Sequence, residues 1–257
     1  MTRVLHFTDA HLRWNQPGSA ANPLRLSRAI PDALGLLADR IADIRPDVVV
    51  MTGDLLDVPD DVLDGAPADG RPLDEWRAEI EADFRIFRDW FKATGVPGLA
   101  VPGNHDDMDA FRRVFDDPPM VIDIAGLRFF SFWDELGPDR QPRRTGARRD
   151  LYNAALSAAE HDLPQVHLQH YMIDPPITAR GWQYEYQDAA DMKAAMEQSG
   201  RVRAVLSGHY HPGSLATGPG GLIHSLPPAF CEAPHPFRVY DIRETGAINV
   251  QDFMLLD

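Results

Sequence analysis

The chain reads as a mixed α/β fold, and three observations carry that reading. Short apolar, β-branched or aromatic runs alternate with helical periodicities through the first half, and the region from 202 to the end is strand-rich with Gly and Pro turns. The composition, 44% hydrophobic and 25% charged over 257 residues, is that of a chain able to bury a core. Strand and helix in alternation favour right-handed parallel crossovers, so a mixed sheet system covered by helices is expected. The length fits one large domain or two small ones, and a single domain over 1–257 is the expectation.

In chain order, strand-like runs lie at about 3–8, 47–52, 98–102, 120–132, 165–170 and 202–207. The first helix follows from Ile30, Leu34, Leu37 and Ile41, and the second from Trp76, Ile80, Phe84, Phe87 and Phe91, whose spacing makes a core-facing stripe. Further helices are expected near 107–115, 149–161 and 187–199. Two segments read as excursions: acidic, Gly- and Pro-rich Val58 to Pro72, and Asp134 to Arg149, which carries Arg140, Arg143, Arg144, Arg148 and Arg149. A solvated loop is the favoured reading of those arginines, with a phosphate clamp as the alternative.

A net charge of −14 argues against binding a nucleic-acid backbone by counterion release, although a metal cluster can still hold a phosphate on an acidic protein. The single cysteine, Cys231, forbids an intramolecular disulfide and reads as a small buried hydrophobe. With no signal-peptide pattern and no 18-residue apolar stretch, no membrane association and a cytoplasmic location are expected.

Each strand of the first half runs into residues of metal-ligand type. These are Asp9-Ala10-His11, then Gly53-Asp54-Leu55-Leu56-Asp57, then Gly103-Asn104-His105-Asp106; His170 and Gly208-His209-Tyr210-His211 follow the later strands. Sites in open α/β sheets form beyond the carboxyl ends of the strands, so five clusters can converge there. Taken singly, the carboxylates read as turn or cap residues and Asn104 as a left-handed turn residue; the joint pattern is what carries weight. Carboxylate, imidazole and amide donors without thiolate suit Mn, Fe or Zn, and seven side chains are too many for one ion. Two ions about 3.5 to 4 Å apart, sharing a carboxylate, can hold a bridging hydroxide and clamp a phosphate for in-line attack.

In their order, D-x-H, G-D-x-x-D, G-N-H-D, a lone His after a strand, and G-H-x-H resemble the motifs of calcineurin-like metallophosphoesterases, from Asp9 to His211. The resemblance implies a four-layer αββα sandwich of two mixed sheets flanked by helices. It implies one ion held by Asp9, His11, Asp54 and His211, and a second by Asp54, Asn104, His170 and His209, with Asp54 bridging. It makes His105 the acid that protonates the leaving oxygen, oriented by Asp106, with Asp57 as outer support; an imidazole is suited to that task because it titrates near working pH. Gly53, Gly103 and Gly208 precede ligands where a side chain would crowd the turn.

The absence of Tyr at position 57 argues against an iron-tyrosinate site of the purple acid phosphatase kind, and the chain lacks the extensions and basic faces of DNA-repair nucleases. The compact length, the run His170-Tyr171-Met172-Ile173-Asp174-Pro175-Pro176 and the short region after His211 look most like bacterial class III cyclic-nucleotide phosphodiesterases. The expected substrate is therefore a small phosphodiester, hydrolysed by the metal-bridging hydroxide. A phosphomonoesterase and a non-catalytic metal-binding scaffold are the alternatives. The oligomeric state stays open, a homodimer among the options. His6 and His167 read as core or sheet-face histidines, His224 and His235 as structural rather than at the substrate mouth, and His161 as a helix-end residue meeting the dipole. Trp182, Tyr184 and Tyr186 either wall a ring pocket or pack within their loop.

Overall fold

The computed structural model describes residues 1–177 and 184–256. Two sheets dominate it. The first takes β1 (Thr2–Phe7), β2 (Val48–Thr52) and β3 (Gly98–Val101) in parallel, then adds the antiparallel β12 (Pro236–Ile242) and β13 (Ile248–Met254) beside β1, in the order β13-β12-β1-β2-β3. The second contains β4 (Val121–Ile124), β5 (Leu127–Ser131), β8 (Gln165–Leu168), β9 (Val202–Leu206), β10 (Ser214–Thr217) and β11 (Ile223–Leu226), in the order β10-β11-β9-β8-β5-β4. Within it β5, β8, β9 and β11 run parallel. Between β5 and β8 lies a small separate ribbon of β6 (Glu135–Leu136) and β7 (Pro142–Arg143).

Side-chain alternation along the strands sorts the layers. On β9, Ala204 and Leu206 join the large core that includes the first sheet, while Val205 between them belongs to a second cluster with Tyr152 and Met192. Tyr152 and Met192 come from α5 (Gly146–Ser157) and α6 (Ala189–Ser199), which cover the outer face of the second sheet. Helices α1 (Ile30–Ile44), α3 (Leu73–Thr94) and α4 (Met108–Phe115) pack into the core on the first sheet's side. The architecture is the four-layer αββα sandwich of two mixed sheets.

The stripe Trp76, Ile80, Phe84, Phe87 and Phe91 is buried along α3, and Trp90 crosses to Phe7 of β1 with ring centroids 5.6 Å apart. Three expectations need correction. The run at 120–132 is two strands, because Ala125 (φ 48°) and Gly126 (φ 85°) both take the left-handed backbone of a tight hairpin turn that only the glycine announces in sequence. The excursion at 58–72 contains a short helix, α2 (Asp60–Leu63). The arginine segment is not a solvated loop: α5 begins inside it, and Arg144 is buried, donating to Asp134 (2.7 and 2.9 Å), Gln169 Oε1 (2.9 Å) and the Tyr186 hydroxyl (3.1 Å) while stacking over Phe132. Sequence displays the positive charge, whereas the partners are Asp134 at the start of the same segment and Gln169 and Tyr186 from two others. Exposed Arg140 and Arg143 pair with Asp60 and Asp139. His6, as expected, is a core histidine, between Tyr240 and Thr52. No helix among the described residues is long and apolar enough to cross a membrane.

The loop from 13 to 29 has no regular element, yet it is anchored. Asp83, wholly buried on α3, accepts from the backbone N–H groups of Trp14, Asn15 and Gln16 and from the side-chain amides of Asn15 and Gln16. Five donors satisfy one buried carboxylate, and the loop has no other comparable tie to α3 among its hydrogen bonds. Asp83→Ala is expected to lower stability by about 3 kcal/mol, because it strands the buried backbone and side-chain donors of Gln16 and frees the loop's other ties. Urea unfolding of the purified variant measures it, and a loss below about 1 kcal/mol would sink this account.

Candidate metal centre

All seven ligand-type residues, contributed by loops that follow β1, β2, β3, β8 and β9, meet at the carboxyl edge of the two sheets. Two clusters result. In one, His11 Nε2 and His211 Nε2 face each other at 3.2 Å, with Asp9 Oδ1 at 4.0 and 3.8 Å and Asp54 Oδ2 at 3.6 Å from His11. In the other, His170 Nε2 lies 3.1 Å from Asn104 Oδ1 and 3.4 Å from Asp54 Oδ2, and a nitrogen of His209 completes the group. Asp54 belongs to both.

The backbone bends sharply to aim these groups. Asp9, His11, Asp54 and His209 all adopt positive φ, between 47° and 72°, a costly conformation for residues with a Cβ. The chain crossings are equally tight. A Cβ on Gly53 would fall 2.2 Å from His170 Nδ1, and one on Gly208 would fall 2.1 Å from Thr8 Oγ1 and 2.6 Å from the Thr52 carbonyl. These positions therefore admit only glycine.

The donor chemistry fits divalent ions. His170 Nδ1 sits 2.8 Å from the Thr52 carbonyl and donates to it, which leaves Nε2 as a lone pair aimed at two further oxygen acceptors. Three lone pairs converging in a buried space require a cation between them, either a metal or a proton on His170. Burial works against a charge on His170, but Asp54 and Asp9 beside it raise its pKa to about 9. Burial likewise opposes ionisation of Asp54, yet the surrounding His170, His105 and His11 hold it well below the usual carboxylate range. Burial lowers His11 to about 4 and His209 to about 3, so both are neutral imidazoles, the form that binds metals.

Outer carboxylates orient the imidazoles. Asp57 stands 3.2 Å from His11 Nδ1 and is paired with Arg13 (3.0 Å) and Arg25 (2.6 Å). Glu232 Oε1 accepts from His211 Nδ1 at 2.7 Å. Each ring is thereby locked with Nε2 toward the centre. Asp106, expected to orient His105, instead commits its oxygens to backbone: it accepts from Gly103 (2.8 Å), Leu55 (3.1 Å) and Leu56 (2.8 Å). It joins the turn that carries His105 to the loop after β2. Burial and the nearby Asp54 push its pKa up to about 7, against the pull of those amides. The carboxylate nearest the His105 ring is Asp57, 3.7 Å from Nδ1.

A cavity of about 290 Å³ opens over Asp54, Asn104, His105, His209 and His211. Its other walls include Asn22, Arg25, Tyr184 and Glu232. Glu232, Asn22 and Arg25 escape the sequence reading because each lies outside any motif; only the folding of distant loops brings them to the cavity. Tyr184 stacks near His209 and supports the pocket-wall reading, whereas Tyr186 is buried in the Arg144 network, and Trp182 lies outside the described residues. His224 and His235 are buried away from this cavity's lining, and His161 contacts Arg128. A second cavity, about 490 Å³, is also lined by Asn104, together with residues of α4 and Asp134, Glu135 and Leu136.

The sequence pattern of the calcineurin-like phosphoesterases matches residues 2–213. A probable cyclic nucleotide phosphodiesterase of a Synechococcus species is 25% identical over 81% of this chain and 72% of its own length. A cAMP/cGMP dual specificity phosphodiesterase of Mycobacterium tuberculosis is 27% identical over 83% of this chain, which spans 63% of that relative. In fold, the chain resembles the crystal structure of a dimetal phosphatase from Danio rerio, with a TM-score of 0.65 and 13% identity over 100% of this chain and 97% of that one. The chain belongs to the calcineurin-like phosphoesterase family and is a metal-dependent phosphoester hydrolase.

Proposed function

We propose that the protein hydrolyses a small phosphodiester of the cyclic-nucleotide kind at a dinuclear metal centre. The observation that carries this reading is the division of seven donors into two groups that share Asp54, directly beneath a cavity lined by His105. In it Asp9, His11, Asp54 and His211 hold one ion, and Asp54, Asn104, His170 and His209 the other, with Mn, Fe or Zn suited to the donors. Bound ions of this class supply an activated water near neutral pH and neutralise charge on the phosphoryl oxygens.

The chain's own residues do the rest. Asn104 offers its amide N–H to a phosphoryl oxygen, and because it lines both cavities, each is available to one arm of a diester. The His105 ring lines the cavity, edge-on to His11 and backed by Asp57, and it delivers a proton to the departing oxygen. The backbone N–H of His105 donates to Asp54 Oδ1 at 2.9 Å, so the acid and the shared carboxylate move as one piece. The diester preference draws further support from the two relatives named as phosphodiesterases.

Turnover of bis-p-nitrophenyl phosphate against p-nitrophenyl phosphate, with Mn, Fe or Zn restored, tests the proposal. Preference for the diester, abolished by chelator and by Asp54→Asn, is expected; a monoester preference would move the reading to a phosphatase, and two bound metals without turnover to a scaffold. His105→Ala should lower kcat by about 10² to 10⁴ while metal content stays at the wild-type level; near-wild-type turnover removes the acid role. Glu232→Ala, by freeing the His211 ring, should weaken metal binding by about 10- to 100-fold, measured by calorimetric titration of the stripped protein.

A further inference from the structure

Cys231 is the chain's single cysteine, and it is wholly buried against the apolar core, as a small hydrophobe would be. Its surroundings are nonetheless two-sided. The backbone of residues 229–231 is laced across the loops of the candidate centre: Ala229 N–H donates to the His211 carbonyl (2.9 Å), Phe230 N–H to Thr8 (2.8 Å) and Cys231 N–H to Asp9 (3.0 Å), while Leu26 N–H donates to the Cys231 carbonyl (2.8 Å). That lacing holds the Cys231 backbone against the loops that carry Asp9 and His211. The Cys231 sulfur and one ring nitrogen each of His11 and His211 lie within 4.8 Å of one another, and no hydrogen bond engages the thiol among the described residues. A buried thiol this close to two imidazoles that approach each other to 3.2 Å is a third candidate donor at that position.

We propose that Cys231 Sγ is a soft donor to the ion held by His11 and His211, and that it biases this position toward thiophilic ions such as zinc and away from manganese. The inference rests on the dinuclear centre proposed above. Asp9, Asp54 and two imidazoles alone form a borderline to hard donor set; a sulfur added to it shifts the preference. On joining the ion the thiol releases its proton to solvent, as coordinating thiols do. The clusters around His170 and His209 include no sulfur among the described residues, so the two positions are chemically unequal and the centre is suited to two different metals.

Stepwise addition of Co(II) to chelator-stripped protein tests this without reference to activity. The wild type is expected to develop a thiolate-to-cobalt charge-transfer band in the near ultraviolet, and Cys231→Ser and Cys231→Ala to bind cobalt without it. Competition titrations should show the zinc-to-manganese affinity ratio falling by about tenfold in both variants. The alanine variant guards against a perturbation caused by burying a hydroxyl, and thermal unfolding of both metal-free variants establishes that they fold. Wild type that binds two cobalt ions with no such band, or variants with an unchanged ratio, would overturn the sulfur's role while leaving the dinuclear centre intact. Wild type that binds no metal would instead remove the centre, and this inference with it.

Discussion

Asp54 is a carboxylate taken almost entirely out of water at the one place where the two sheets' strand ends meet. Burial of a lone charge is costly, and it is tolerated only where opposite charge and hydrogen-bond donors surround it. Here the His170 imidazole, from the β8 loop of the second sheet, supplies the first, and the His105 N–H supplies the second, with neutral His11 packed alongside. The same carboxylate thus ties the first sheet to the second and defines the point on which a metal centre would be built. Remove its charge and three neutral or cationic rings lose their common partner.

Holding so many polar groups at one point places demands on the backbone, and the fold meets them locally. Four of the seven donor-type residues sit in left-handed backbone, and glycines stand where chains pass almost in contact. Such strain persists only when the surrounding structure over-determines it. The core supplies that rigidity through the apolar layer between the sheets, while the polar ties of Asp106 and Asp83 fix the loops that the core does not reach. The buried Arg144 pair acts in the same way behind His170, through Gln169.

Parallel strands explain why the candidate site was largely legible before any coordinates. In a parallel sheet every strand ends at the same edge, so ligand-type residues just after β1, β2 and β3 gather at one edge and those after β8 and β9 at another, and the packing of the two sheets brings the edges together. The αββα layering was less direct, since periodicity specifies helices and strands but not which face of which sheet they cover. The hairpin at Ala125-Gly126 was hidden because alanine gives no hint of positive φ. The charge of the arginine segment was visible and its burial was not.

What the sequence by itself determined is the local chemistry: apolar runs of strand length, helical stripes, and donor residues at strand ends, all of which depend on neighbours a few positions apart. What only the tertiary structure decided is partnership across long separations. Glu232 reaches His211, Asp57 rather than Asp106 stands at the His105 ring, Arg25 enters the cavity wall, and the Cys231 sulfur comes within 4.8 Å of ring nitrogens of His11 and His211. No periodicity encodes these, because each is set by how loops of irregular backbone are tied together, and a hydrogen bond between residues 21 or 200 positions apart leaves no pattern along the chain.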